Sequence, residues 1–154
     1  MTGRRRIARG RAVAACGLLC VAALSPAPAP AQARSEPNLE KRAKLALDEA
    51  AAALAAARLD YEHGDIEKVP AGARAIADSV DLAYLSLTQT GKDPRKSPRW
   101  FKYAEIQTRD LLRKIDTLQR DMSFADRPLL DKTKAGVQQV HDKLLLGLME
   151  GKPK

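Results

Sequence analysis

Cysteine is almost absent from this chain of 154 residues: Cys16 and Cys20 are the only two. Both fall in an N-terminal segment that reads as removable, which leaves no disulfide, thiol nucleophile or cysteine-held metal in the remainder. Histidine is equally scarce, with His63 and His141 alone. There is no Gly-x-Ser-x-Gly elbow and no glycine-rich phosphate loop, so two common catalytic and nucleotide-binding signatures are missing. Nor is there a Cys-x-x-Cys-His haem attachment sequence or a pair of Glu-x-x-His motifs for a di-metal helical site. No stretch alternates β-branched residues with a period of two, which argues against sheet. The apolar run Ala12–Leu24 has thirteen residues, short of the ~20 a helix needs to cross a bilayer.

What the N-terminus does have is order. "MTGRRRIARGR" carries five arginines and no acid, "AVAACGLLCVAAL" is weakly apolar, and "SPAPAPAQA" ends in Ala31-Gln32-Ala33. Charged, apolar and small-residue segments in that sequence predict a cleavable export signal over residues 1–33. Cleavage near Ala33 would leave a periplasmic or extracellular protein. Val13-Ala14-Ala15-Cys16 resembles a lipoprotein box, but only four apolar residues separate Arg11 from Cys16, too few for a signal's apolar part. Arg4-Arg5-Arg6-Ile7 loosely resembles a twin-arginine signal, which leaves the export route open.

The whole chain has 27 basic and 19 acidic residues. Taking away the five signal arginines leaves 22 against 19, a net charge of +3. The strong basicity therefore belongs largely to the segment expected to be removed, and no nucleic-acid partner is expected. The remaining 121 residues are enough to build one core without disulfides.

Residues 34–154 repeat apolar side chains at alternate spacings of three and four, the signature of amphipathic helices. The first stripe is Leu39, Ala43, Ala46, Ala50, Ala53, Ala57 and Tyr61, widened by Leu47 and Leu54, after Asn38 as cap and before Gly64. The second is Ile66, Val69, Ala73, Ile76, Val80, Ala83 and Leu87, with Asp65 as cap, Pro70 near the first turn and Gly91 as stop. The third is Phe101, Ala104, Leu111, Ile115, Leu118 and Met122, broken by Thr108 and started by Ser97-Pro98. The fourth is Leu130, Thr133, Val137, Val140, Leu144 and Leu148, with Asp126 as cap.

The fold expected is an all-α, antiparallel up-down-up-down four-helix bundle over residues 38–149, with helices at 39–63, 66–90, 98–122 and 127–149. A short disordered lead, 34–37, precedes it and a disordered tail, 150–154, follows. The competing architecture is a three-helix core with a mobile first helix, whose alanine stripe offers the least to bury.

In that arrangement His63, at the end of the first helix, stands roughly 15–20 Å from His141, so the two cannot share a metal or act as one pair. Asp60, Glu62, His63 and Asp65 make an acidic turn, but helical geometry points Glu62 away from Asp60 and His63. Expected catalytic, cofactor and metal residues are therefore none, and no convergent pair of titratable side chains suggests an enzyme. His141 lacks an inward-facing second ligand for haem.

One connector stands out. "TGKDPRKSPRWFKYAE", residues 90–105, holds Lys92, Arg95, Lys96, Arg99 and Lys102 with Trp100, Phe101 and Tyr103. Phe101 lies on the core stripe, while Trp100 and Tyr103 flank it and either plug the bundle end or face a partner. Antiparallel topology gathers residues 34–48, 88–105 and 143–154 at one end, with twelve basic and six acidic side chains. The other end, 58–70 and 115–135, has six against eight. Ends some 35 Å apart are screened from each other in physiological salt, where exposed charges act over about 8–10 Å. Cations with amphipathic aromatics suit an anionic membrane surface, an acidic envelope polymer or an acidic protein. The plain alternative is a connector whose lysines and arginines only keep it soluble.

"SVDLAYLSLTQTGKDPRKSPRWFKYAEIQTRDLLRKID", with "FADRPLL" and "VQQVHDKLLLGLM", resembles a set of uncharacterised exported bacterial helical proteins, across most of residues 64–150. The resemblance implies a small helical domain behind a signal and assigns no catalytic or binding residue. The functional expectation is an exported, non-catalytic binding or structural module of the cell envelope, without cofactor. The alternative is a carrier of a small ligand or haem in the bundle interior.

Overall fold

The computed structural model describes residues 31–151. Most of the expected signal, residues 1–30, and the last part of the expected tail, 152–154, lie outside the described residues. The described chain is all-helical: α1 (Ala31–Ser35), α2 (Leu39–Glu62), α3 (Val69–Gln89), α4 (Pro98–Asp121) and α5 (Pro128–Glu150), with a single 3₁₀ turn at Ile66–Lys68. No strand occurs among the described residues, and none of their helices is long and apolar enough to cross a membrane.

Asn38 opens α2 as its sequence suggests, its side-chain oxygen accepting from the Glu40 and Lys41 N–H groups at 3.0 Å each. Gly64 and Gly91 end the first two long helices in the left-handed region, with φ of 83° and 69°. Other boundaries move. Ile66 belongs to the 3₁₀ turn and is exposed, so α3 starts at Val69 and Pro70 sits harmlessly in its first turn. Asp65 caps nothing; its carboxylate pairs with Lys68 instead. Ser97 occupies the N-cap position of α4 without a side-chain cap bond. Asp126 is drawn away from α5, accepting from the Ser123 hydroxyl at 2.7 Å and the Tyr61 hydroxyl at 3.2 Å.

The expected stripes form the core. Ala43, Ala46, Ala50, Ala53 and Ala57 are all buried, together with Leu47 and Leu54. Their small side chains let α2 lie close on α3, where Gly72 leaves room for Ala57. This pair makes the most extensive helix contact in the fold, so the alanine face is the tightest seam and not the loosest. Against it pack Ile76, Val80 and Leu87 of α3, Leu111, Ile115 and Leu118 of α4, and Leu130, Val137 and Leu144 of α5. Each large side chain so buried contributes about 1.5–3 kcal/mol before entropy is counted.

Two antiparallel hairpins result, α2–α3 and α4–α5, and their stacking is specific. Lys44 and Asp48 near the start of α2 flank Tyr103 near the start of α4, while Arg58 and Asp121 pair at 2.9 Å near the ends of both. Helices α2 and α4 therefore run parallel, side by side. Likewise the Thr133 hydroxyl of α5 donates to the Ala73 carbonyl of α3 at 2.9 Å, and Lys143 lies over the Tyr84 ring farther along both. Helices α3 and α5 are parallel neighbours too. Helices α3 and α4, consecutive in sequence, sit across a diagonal with few contacts. The connector 90–97 crosses one end of the fold to join them.

At the N-terminal edge, α1 packs on α2. Ala33 is wholly buried, and its N–H donates to the Glu49 carboxylate at 3.0 Å.

Candidate functional site

The connector is shaped by its own short-range bonds. The Asp93 side chain accepts from the Arg95 N–H at 2.9 Å, and its carbonyl accepts from the Lys96 and Ser97 N–H groups. Pro94 rests against Gly147 of α5, where an added Cβ would lie 3.3 Å from the proline ring. Gly151, with φ of 83°, leaves space for the Arg95 stem and the Asp93 carboxylate. On the other side, Lys92 Nζ reaches Glu40 Oε1 in the first turn of α2 at 2.6 Å. Connector, start of α2 and end of α5 therefore share one end of the fold.

Of the residues singled out in sequence, Arg95, Lys96, Arg99 and Lys102 are exposed, and no carboxylate of the described residues stands within salt-bridge distance of them. Arg99 lies 5.2 Å from the centre of the Trp100 ring, in cation–π range. Trp100 meets Tyr103 edge to face, ring centres 6.0 Å apart. Both rings are half-buried against the core, and Phe101 is fully inside. Trp100 and Tyr103 therefore floor the patch, and Arg99 covers the indole. Burial pushes the Tyr103 phenol above its usual range, and the neighbouring Asp48 carboxylate adds to the effect.

Beside this patch lies a cavity of about 480 Å³ between the last turns of α3 and α5. Tyr84, Pro94, Phe101, Leu144 and Leu146 give it apolar walls, and Lys92, Lys143 and Glu150 are its charged members. Sequence reasoning missed it because it depends on α3 and α5 being neighbours. Leu146, half exposed, and Met149, mostly exposed, stand near it on α5.

A second feature was also missed. His141 Nδ1 on α5 lies 3.3 Å from the Thr108 hydroxyl and 4.0 Å from Glu105 Oε1, both on α4. Glu105 in turn stands 3.7 Å from Arg109. A pair of titratable side chains therefore does converge, contrary to the sequence expectation. The available signal was Thr108 interrupting an apolar stripe one turn after Glu105. Both partners address the same imidazole nitrogen, and the Thr108 hydroxyl bonds back to the Ala104 carbonyl at 2.9 Å. That geometry makes a polar clamp between α4 and α5.

At the opposite end, a polar cleft of about 340 Å³ is bounded by Asp116, Gln119, Arg120, Arg127, Asp131 and Lys134. The Gln119 amide closes it by donating to Asp131 at 2.7 Å and to the Arg127 carbonyl. The acidic turn around His63 is exposed, and among the described residues no three histidine, cysteine, aspartate or glutamate side chains are grouped to hold a metal. No protein family, no curated protein and no solved structure matches this chain.

Proposed function

We propose that this chain is an exported, non-catalytic four-helix bundle of the up-down-up-down type that serves as a binding or structural module of the cell envelope. Its basic end contacts an anionic membrane surface, envelope polymer or acidic protein. One observation carries the reading: the crossing connector sets Arg95, Lys96, Arg99 and Lys102 at a single end, exposed and free of carboxylate partners among the described residues. Cations held by intramolecular pairs would contribute little to such a contact. Free ones above a packed aromatic floor retain their charge for a partner. The segment 1–33 supplies the export signal, and the resemblance to exported bacterial helical proteins is in keeping with it.

The test is retention on phosphatidylglycerol vesicles against phosphatidylcholine vesicles over a salt series. The native chain should bind the anionic vesicles and be released as salt rises. The variant with Lys92, Arg95, Lys96 and Arg99 all changed to Glu should lose that salt-sensitive retention. Equal retention of the two proteins removes the reading.

A second reading, carriage of a small ligand, draws support from the cavity at the same end. The haem form of that reading is poorly served, because the lining residues include no histidine, methionine or cysteine.

A further inference from the structure

The cavity between α3 and α5 has a volume within the ~300–1,000 Å³ of small-molecule sites, and its composition selects among ligands. Its walls are carbon-rich: the rings of Tyr84, Phe101 and Pro94 and the side chains of Leu144 and Leu146. Lys92, at one edge, is already neutralised by Glu40 at 2.6 Å. Lys143 is different. Its ammonium sits 5.6 Å from the centre of the Tyr84 ring, and no carboxylate of the described residues is within salt-bridge distance. Aromatic contact orients this cation beside the cavity and leaves its hydrogen-bonding capacity largely unused.

Two features oppose an anion there, and both act at a distance. Glu150 lines the cavity, but seven residues of helix separate it from Lys143, roughly 10 Å along the axis. The negative ends of α3 and α5 are felt only within the last turn, whereas Lys143 and Tyr84 lie further in. A charge-assisted hydrogen bond at Lys143 outweighs both.

We propose that the cavity binds a single-chain amphiphilic anion, an acyl carboxylate, with its head on Lys143 and its chain along Tyr84, Phe101, Pro94, Leu144 and Leu146. The inference rests on the carrier reading and is independent of vesicle contact through Arg95, Lys96 and Arg99.

The test uses two fluorescent probes in vesicle-free solution with the purified full chain: anionic cis-parinaric acid and neutral Nile red. Laurate and dodecanol serve as competitors of matched chain length. Parinarate fluorescence should rise on binding, with laurate displacing it about tenfold better than dodecanol, the effect of one hydrogen bond to a charged group. Lys143→Met should erase that preference while leaving dodecanol unchanged, and Lys143→Glu should reverse it. Thr88→Trp, at the cavity wall, should block both probes while circular dichroism reports an unchanged helix content. Nile red binding without parinarate binding, or laurate no better than dodecanol, overturns the ligand class and leaves the carrier reading standing. Failure of both probes overturns both. Binding indifferent to Thr88→Trp places it elsewhere and also overturns the proposal.

Discussion

Gly72 of α3 faces Ala57 of α2 so closely that a Cβ on the glycine would stand 2.9 Å from the Ala57 methyl. Glycine inside a helix normally costs about 0.5–1 kcal/mol relative to alanine. Here overpacking of ~1–3 kcal/mol opposes that gain and exceeds it. Gly72→Ala should therefore destabilise the fold by about 1 kcal/mol in denaturant unfolding. The swap Gly72→Ala with Ala57→Gly restores the space and should recover most of the loss. A stabilised single variant would show that the two helices can part without penalty.

Tyr61 ties the end of α2 to the α4–α5 turn. Its hydroxyl accepts from the Ser123 N–H at 2.8 Å and donates to Asp126 at 3.2 Å. Tyr61→Phe keeps the ring and should cost about 1–2 kcal/mol, measured by chemical denaturation. It should also raise amide exchange at Ser123 and its neighbours.

Alkaline stability should depend on Tyr103. Its phenol is raised by burial first and by Asp48 second, so the folded state holds this proton longer than the unfolded state. Stability from this group is complete below about pH 10 and is lost as pH climbs through the raised value. Tyr103→Phe should flatten the loss. Lys44 is raised by its bond to Asp48 first and by Tyr103 as well, so part of the flattening reports the lysine beside the phenol.

Acid behaviour should show the opposite sign at Asp110. Lys114, followed by Arg113, holds its carboxylate below the usual range. The stability it contributes is present above about pH 4 and is lost as pH falls through the lowered value. Asp110→Asn should unfold with a shallower acid limb than the native chain, read by circular dichroism. An unchanged limb would mean that solvent screens these exposed pairs entirely.

The core was legible in sequence because burial follows the helical period. From Ala43 to Ala57, from Val69 to Leu87 and from Phe101 to Met122, the three-four spacing marks buried positions. Ile66 misled because a 3₁₀ turn delays α3 by three residues. Asp126 misled because two hydroxyls compete for its carboxylate. The stacking of the hairpins left no periodic trace, since each helix knows its apolar face but not its neighbour. The cavity by Lys143 and the Glu105–His141 contact both depend on that stacking, which explains why the connector cations were found in sequence and these were not.

The diagonal path of residues 90–97 leaves the two hairpins hinged at one end, like a clasp. Their shared seam is the apolar core, fastened at the free end by Arg58 to Asp121 and Tyr61 to Asp126, with Thr133 to Ala73 on the other flank. A cut within residues 90–97 would therefore leave two hairpins joined by that seam alone, with no covalent link between them.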